Sequence, residues 1–431
     1  MKIKLTKQKL YIILCLCIIG LFIYISDNPI TQILLFTFQF ALIASSIKFE
    51  FVNPLFWFLG AFTIYSIAYP VLYATGLNMT IGYSPEPLRW NWIAMTTFYL
   101  FFSSTKIKQN NSFADVKWIN KSVYKWFIIL SGILVLLSIM LIRRIGYISK
   151  NEIYSGGNII INFTLSLIYI VHTIYICLIS INYKNNKNSI GIIVYVGLLS
   201  LLLTMFSGER DILLRFILIT AFCSHIYGRI TKKRLLIYFA IIIILFPITS
   251  MLKYYFLSYQ LGEIKFSFSV KSIIWSLFGG EFESASKNLQ ILANDKDNIM
   301  GVLSGASYIS DIVRIIGISI KSSLQWFNKN YYASSTVGHG FTIVGEGLVN
   351  FGLVGILLNF MILSLSLSYM YKNVYSKEIY NSIYTLSIPI FIYAIRADFA
   401  NILSPIVRQI IIPILIFNII VHKEEISEQN T

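Results

Sequence analysis

Residues 10–26 read LYIILCLCIIGLFIYIS, and after Asp27 and Asn28 residues 29–47 read PITQILLFTFQFALIASSI. A bilayer core about 30 Å thick takes roughly 20 apolar residues as a helix, and in lipid the backbone groups of such a segment must bond within it. Two such runs back to back, with no charged side chain inside either, point to consecutive membrane spans. The Lys-rich start MKIKLTKQK before the first run resembles a signal peptide. No A-x-A cleavage site follows it, so it reads as a retained first helix.

Working outward, apolar runs recur at about 53–74, 91–105, 122–142, 159–181, 189–206, 210–227, 234–251, 341–371, 379–396 and 400–421. The run at 341–371 is long enough to tilt or to extend beyond the membrane. The expectation is an all-α polytopic membrane protein of about twelve transmembrane helices, one integral membrane domain over 1–431 with a short cytoplasmic tail at 422–431. Composition agrees, because 56% of the 431 residues are apolar or aromatic and 13% are charged. Soluble domains hold about 45–50% and about 25%. Mean hydropathy is +0.71. These values exclude a string of soluble domains.

The net charge of +16 would suggest nucleic acid in a soluble protein. In a membrane protein it reads as positive loops on the cytoplasmic side. With the N-terminus inside, lysines such as Lys48, Lys106, Lys121, Lys187, Lys232 and Lys372 gather on one side. Arg89, Arg143, Arg144, Arg210, Arg215, Arg396 and Arg408 gather on the other. That bias predicts both termini in the cytoplasm and an even number of spans. The four cysteines, Cys15, Cys17, Cys177 and Cys223, sit in apolar runs without metal-site spacing, so neither a disulfide framework nor a zinc site is expected.

The only long hydrophilic stretch, about 252–340, falls on the outer side. Its beginning is aromatic and amphipathic (Tyr254, Tyr255, Phe256, Trp275, Phe278), which suits helices lying in the headgroup layer. So long a segment is expected to fold on the membrane and cover a site.

Ionisable residues in or beside apolar spans are the candidates for chemistry. Ser207-Gly208-Glu209-Arg210-Asp211 with Arg215 lies between two runs, and Asp211 and Arg215, four apart, can neutralise one another on a helix face. Arg210 lacks so clear a partner and reads as a ligand contact. In the stretch from Gly338 to Gly355, Glu346 and Asn350 share a face, and the glycines suit close helix packing. His339 just before it is a candidate general base, its ordinary pKa being about 6.5. Arg396-Ala397-Asp398 ends one run, Arg408 lies inside the next, and Glu281, Glu283, Asp311 and Arg314 come from the long segment. A guanidinium within a span needs an anion or a carboxylate. Paired guanidinium forks fit a diphosphate, and a lipid-linked sugar diphosphate would place its tail among the spans and its headgroup at their outer mouth. Neither a Walker A sequence nor a G-x-G-x-x-G after a strand is present, so nothing supports ATP-driven transport.

On SGERD at 207–211, G-H-G-F-x-x-x-G-E-x-x-x-N-F-G-x-x-G at 338–355 and Arg396-Ala397-Asp398, together with the layout of spans and the large outer loop, the chain resembles the bacterial Wzy-type polymerases of O-antigen and capsule repeat units. The resemblance implies a glycosyltransferase of the bacterial cytoplasmic (inner) membrane, with its active site facing outside. It would transfer a glycan from undecaprenyl diphosphate onto a newly flipped lipid-linked oligosaccharide repeat unit, without metal, nucleotide or other cofactor. Arg210, Arg215, Arg396, Arg408 and Arg314, with Asp398 and Asn350, would hold diphosphate and glycan, and Glu346 or His339 would serve as base. The implied partners are the lipid-linked donor and acceptor, the bilayer, a chain-length regulator and a flippase, with no nucleic acid. O-antigen ligases share the layout and the His near a span, and a flippase or transporter of lipid-linked oligosaccharide is the rival of another class. Paired broken helices at the membrane midplane would mark that rival.

Overall fold

The computed structural model describes residues 7–103, 121–145, 159–184, 189–207, 210–237, 270–316, 322–333, 339–376, 378–417 and 419. Among these every regular element is helical. In chain order they are α1 (Lys7–Ile25), α2 (Pro29–Ser46), α3 (Pro54–Ala74), α4 (Glu86–Phe101), α5 (Lys121–Ile145), α6 (Ile159–Lys184), α7 (Ile190–Ser207) and α8 (Arg210–Ile226). There follow α9 (Val270–Phe278), α10 (Glu281–Asn294), α11 (Ala306–Val313), α12 (Ser323–Tyr331), α13 (Ile343–Asn373), α14 (Glu378–Ala394) and α15 (Ala400–Pro405), the last continuing through a π-turn over Ile406–Ile411. Helices overlie each expected apolar run except 234–251, which lies almost wholly outside the described residues. Among the described residues, seven stretches are long and apolar enough to cross a bilayer: α1, α2, α3, Tyr124–Leu141, Ser166–Tyr183, α13 and Ala400–Phe417. Leu21, Leu34, Leu136, Met140 and Ile362 stand exposed on these helices. So large an apolar exterior suits lipid, and the chain is a membrane protein that is helical throughout its described elements.

Two packed regions share α14. In the first, α1 to α4 pack on one another, α10 lies on α3, and α13 lies along α4. Phe36, Phe58, Phe62, Phe98 and Phe360 fill its core. In the second, α5 to α8 pack with α14 and with the helix after the π-turn. Tyr384 of α14 reaches the first region, accepting from Trp57 Nε1 at 2.9 Å and donating to the Val52 carbonyl, while Leu386 and Ile390 belong to the second. Several polar side chains inside the bundle are hydrogen-bonded, which apolar surroundings favour. Gln32 donates to the Ile23 and Ser26 carbonyls at the end of α1, at 2.9 and 2.8 Å. Gln39 donates to Thr96 at 3.0 Å across α2 and α4.

The decisive departure from the sequence expectation is in α13. It is two helices joined at a kink: Phe351 (φ −138°, ψ 23°) and Gly352 (φ 61°, ψ −142°) are not helical, and the chain reverses there. Asn359 donates to the Ile343 carbonyl at 2.9 Å, 16 residues away. In a straight helix those residues would be about 24 Å apart. The limb from Ile343 to Asn350 therefore lies antiparallel to Leu353–Asn373. Their backbones touch where Gly347 meets Gly355: a Cβ on Gly355 would fall 1.9 Å from the Gly347 carbonyl oxygen. Only glycine tolerates the Gly352 backbone angles without strain. The limb's last carbonyls are satisfied from the long segment, Leu348 by Gly301 N–H at 3.1 Å and Val349 by Leu303 N–H at 2.8 Å. Phe351 stacks on Tyr308 beneath the turn. The 341–371 run is thus a hairpin with one short buried limb, not a tilted rod.

Gly355→Ala is expected to destabilise the protein by about 1–3 kcal/mol, since neither backbone can give way. Gly191→Ala, where nothing lies within 4 Å of the new methyl, should leave the thermal midpoint of the detergent-solubilised protein unchanged or slightly raised.

Candidate functional site

The short limb of α13 carries the site. Thr342 caps it, accepting from Val344 N–H at 3.3 Å, and every residue from Ile343 to Asn350 is buried. Glu346 is fully buried. One of its oxygens accepts from Ser307 Oγ at 3.1 Å and Ser323 Oγ at 2.9 Å, and the other from Phe399 N–H at 2.8 Å. Asn350, one turn on, donates to Ser307 Oγ at 2.7 Å and to the Glu346 carbonyl at 2.8 Å. The shared face expected for Glu346 and Asn350 is therefore present. Its partners come from α11, from α12 and from the turn before α15, so one carboxylate ties four separate pieces of chain together. A buried carboxylate demands such a set of donors.

Two more carboxyls adjoin it. Asp398 is fully buried and accepts from Asn401 Nδ2 at 2.6 Å and from Leu324 N–H, at the start of α12, at 3.3 Å. Asp311 is 1% exposed, and neither of its oxygens meets a donor of good geometry. Burial, and then the neighbouring Asp398 charge, push its carboxyl well above the usual range; Glu346 lies within hydrogen-bonding reach, and Arg314 partly offsets the shift. Tyr308 donates to Asn359 at 2.6 Å and so fastens α11 to the far limb of the hairpin.

The arginines divide into two groups. Arg408, exposed on the π-turn, has backbone carbonyls as partners where an anion or carboxylate was expected: its Nη2 donates to Arg314 O at 2.9 Å and its Nε to Ile315 O at 3.0 Å. It caps the end of α11, where Arg314 sits half-buried. On the other side of the turn, Arg396 pairs with Glu281 at 3.2 Å and lies over the Tyr393 ring at 4.8 Å. Arg215 pairs with Asp211 at 2.7 Å, bonds Gln409 at 3.4 Å, and lies over the Tyr169 ring at 4.4 Å. Asp211 and Tyr393 are within electrostatic range of both guanidiniums. Among the described residues, Arg396 Nε and Nη1 and Arg215 Nη2 meet no acceptor. A cavity no larger than a water molecule adjoins Arg215, lined also by Tyr169, His172, Thr173 and Gln409.

His339 precedes the limb. Its ring stacks on Tyr332 with centroids 3.7 Å apart, and its carbonyl accepts from Asn328 at 3.1 Å. The next residues bind the Arg396 segment, Phe341 N–H donating to the Arg396 carbonyl at 2.9 Å. Gly340 is required there, because a Cβ would fall 2.8 Å from that oxygen. Arg210 opens α8; its side chain, with Gly208 and Glu209, lies outside the described residues.

The structure therefore joins Glu346, Asn350, Asp398, Arg314 and Arg408 around α11, places Arg215 and Arg396 on the opposite side of residues 395–399, and stacks His339 on Tyr332, with the two residues that follow it against the Arg396 carbonyl. Ser307 and Ser323 complete the first group and carry no motif that sequence reasoning could find. Among the described residues no cluster of three or more His, Cys, Asp or Glu side chains could hold a metal ion. No family model matches the chain, and no curated protein or solved structure matches it either.

Burial first, and then the Lys287 charge, hold the His339 imidazole below its ordinary pKa. Lys287→Ala is expected to raise its titration midpoint part of the way toward about 6.5. The pH dependence of its modification by diethylpyrocarbonate reads this, and an unchanged midpoint would remove Lys287 from the environment of the ring.

Proposed function

We propose that the protein polymerises lipid-linked oligosaccharide repeat units on the outer face of the bacterial cytoplasmic membrane, by glycosyl transfer from a polyprenyl-diphosphate donor. The proposal includes about twelve spans and both termini inside. The observation that carries it is the wall formed by the Arg396–Asp398 turn: guanidiniums with donors unused among the described residues on one side, a buried carboxyl network on the other. Arg215 and Arg396 bind the diphosphate. The Glu281 side chain is 61% exposed, so an anionic headgroup displaces it readily, whereas Asp211 stays in place on α8. The water-sized cavity is too small for a sugar, and the headgroup binds at its rim or once the helices part.

In the reaction an acceptor hydroxyl oxygen attacks the anomeric carbon of the donor sugar. The bond from that carbon to the diphosphate oxygen breaks, and the diphosphate leaves with the electron pair. Arg215 and Arg396 stabilise the charge developing there. The hydroxyl proton passes to His339, which is neutral at physiological pH because its pKa is lowered. Glu346, which accepts from three donors and is inaccessible, is the positioning residue that holds the turn carrying Arg396.

One observation favours a second reading, a flippase for the same lipid-linked glycan. The broken helix at Phe351–Gly352 is a feature of transporters, where discontinuous helices surround the substrate. It has no counterpart break of comparable sharpness in another long helix among the described residues.

In cells lacking the wild-type chain, Arg396→Ala or Arg215→Ala should reduce long surface polymer by about a hundredfold, the scale of losing one transition-state donor, while single repeat units still reach the surface. Arg396→Lys should rescue poorly, since a lysine lacks the fork. Normal ladders of chain length would refute the site, and repeat units trapped on the inner face would assign the flippase reading.

A further inference from the structure

The carboxyl network is short of donors. Ser307 Oγ, Ser323 Oγ and Phe399 N–H are given to Glu346. Leu324 N–H and Asn401 Nδ2 are given to Asp398, Asn350 Nδ2 to Ser307 and the Glu346 carbonyl, and the Tyr308 hydroxyl to Asn359. Three acceptors remain buried without a donor of good geometry: Asn350 Oδ1 and both Asp311 oxygens, which the Ala400 N–H alone approaches from the backbone. The ionisable groups around Asp311 are Glu346 on the short limb, Asp398 on the turn before α15, and Arg314 and Tyr308 on its own stretch of chain. Three buried carboxylates beside one half-buried guanidinium cannot all stay ionised, because each added charge raises the cost of the next. Two ionised carboxylates in contact repel, whereas a carboxyl and a carboxylate in contact make a strong hydrogen bond.

We propose that Asp311 and Glu346 form a proton-binding site, in which one proton is shared in a hydrogen bond between the two carboxyls. This proton supplies the missing donor and clamps α11 to the short limb of α13. The inference rests on the count of donors and acceptors and holds whatever the substrate is. Its consequence reaches the arginines. The carbonyls of Arg314 and Ile315 anchor Arg408, so releasing α11 would free both Arg314 and Arg408. The direction with pH follows from linkage. Burial raises the folded-state pKa of Asp311, so above the ordinary carboxyl range the folded chain keeps a proton that the unfolded chain has lost. Stability contributed by the clamp is then present at acid pH and falls as pH rises through the folded-state value.

The test is infrared spectroscopy and thermal unfolding of the purified full chain in lipid nanodiscs. The wild type should show a protonated-carboxyl stretching band at near-neutral pH that Asp311→Asn removes. Asp311→Asn places an amide donor where the proton is shared, so it should retain the wild-type thermal midpoint at neutral pH and lose the decline toward alkaline pH. Asp311→Ala should lower the midpoint at every pH. Glu346→Gln should shift the band or remove it. Absence of the band in the wild type would overturn the proposal, as would an Asp311→Asn protein that fails to fold or is no more stable than Asp311→Ala. A wild-type midpoint that rises with sodium concentration, with no carboxyl band, would give the position to a metal cation and also overturn it.

Discussion

A carboxylate held out of contact with water must be surrounded by donors, and the Glu346 side chain imposes that demand on four parts of the chain at once. Ser307 on α11, Ser323 on α12, Phe399 at the turn before α15 and the short limb of α13 all converge on it. Losing any single donor leaves charge uncompensated in a medium of low dielectric, at a penalty of about 1–3 kcal/mol or more. The convergence is possible because the chain doubles back at Gly352 and because Gly347 and Gly355 allow two backbones to touch. Backbone geometry and electrostatics are therefore one problem here. The hairpin brings Glu346 into the bundle, and the donors brought to Glu346 hold the hairpin shut.

That arrangement gives the two sides of the 395–399 turn different properties. Toward α11, negative groups are enclosed and the nearest guanidinium beyond Arg314 is spent on backbone carbonyls. Toward α8, two guanidiniums keep unused donors among the described residues and are balanced by Asp211 and an exposed Glu281. Under the proposed function, such a partition would let an anionic headgroup bind on one side while the carboxyls on the other remain a rigid support. The partition also explains why Arg396 and Asp398, two residues apart, belong to separate environments.

Much of this was legible in the sequence, and what was hidden has physical reasons. Apolar length alone located the helices, because lipid leaves the backbone so little choice. The Asp211–Arg215 pair and the common face of Glu346 and Asn350 follow from helical spacing, and both are present. The reversal in α13 was not legible: a glycine in an apolar run reads equally as a packing residue, and the positive φ of Gly352 leaves no trace in composition. Ser307 and Ser323 belong to no periodic pattern, since they are selected by where the long segment lands. Arg408 was read as needing an anion because nothing in a sequence shows that the carbonyls of Arg314 and Ile315 end beside it.

The fold-back of α13 is tested most directly by proximity. In a chain with Cys15, Cys17, Cys177 and Cys223 replaced by Ala, the double substitution Ile343→Cys and Asn359→Cys can be exposed to mild oxidant or to the shortest bifunctional thiol reagents in native membranes. The two positions should cross-link rapidly and within one chain, while Ile343→Cys paired with Ser368→Cys on the far part of the long limb should not. Failure of the 343–359 pair, with both thiols shown to be reactive, would mean a continuous helix and about 24 Å between them, and the carboxylate-centred site would have no means of assembly.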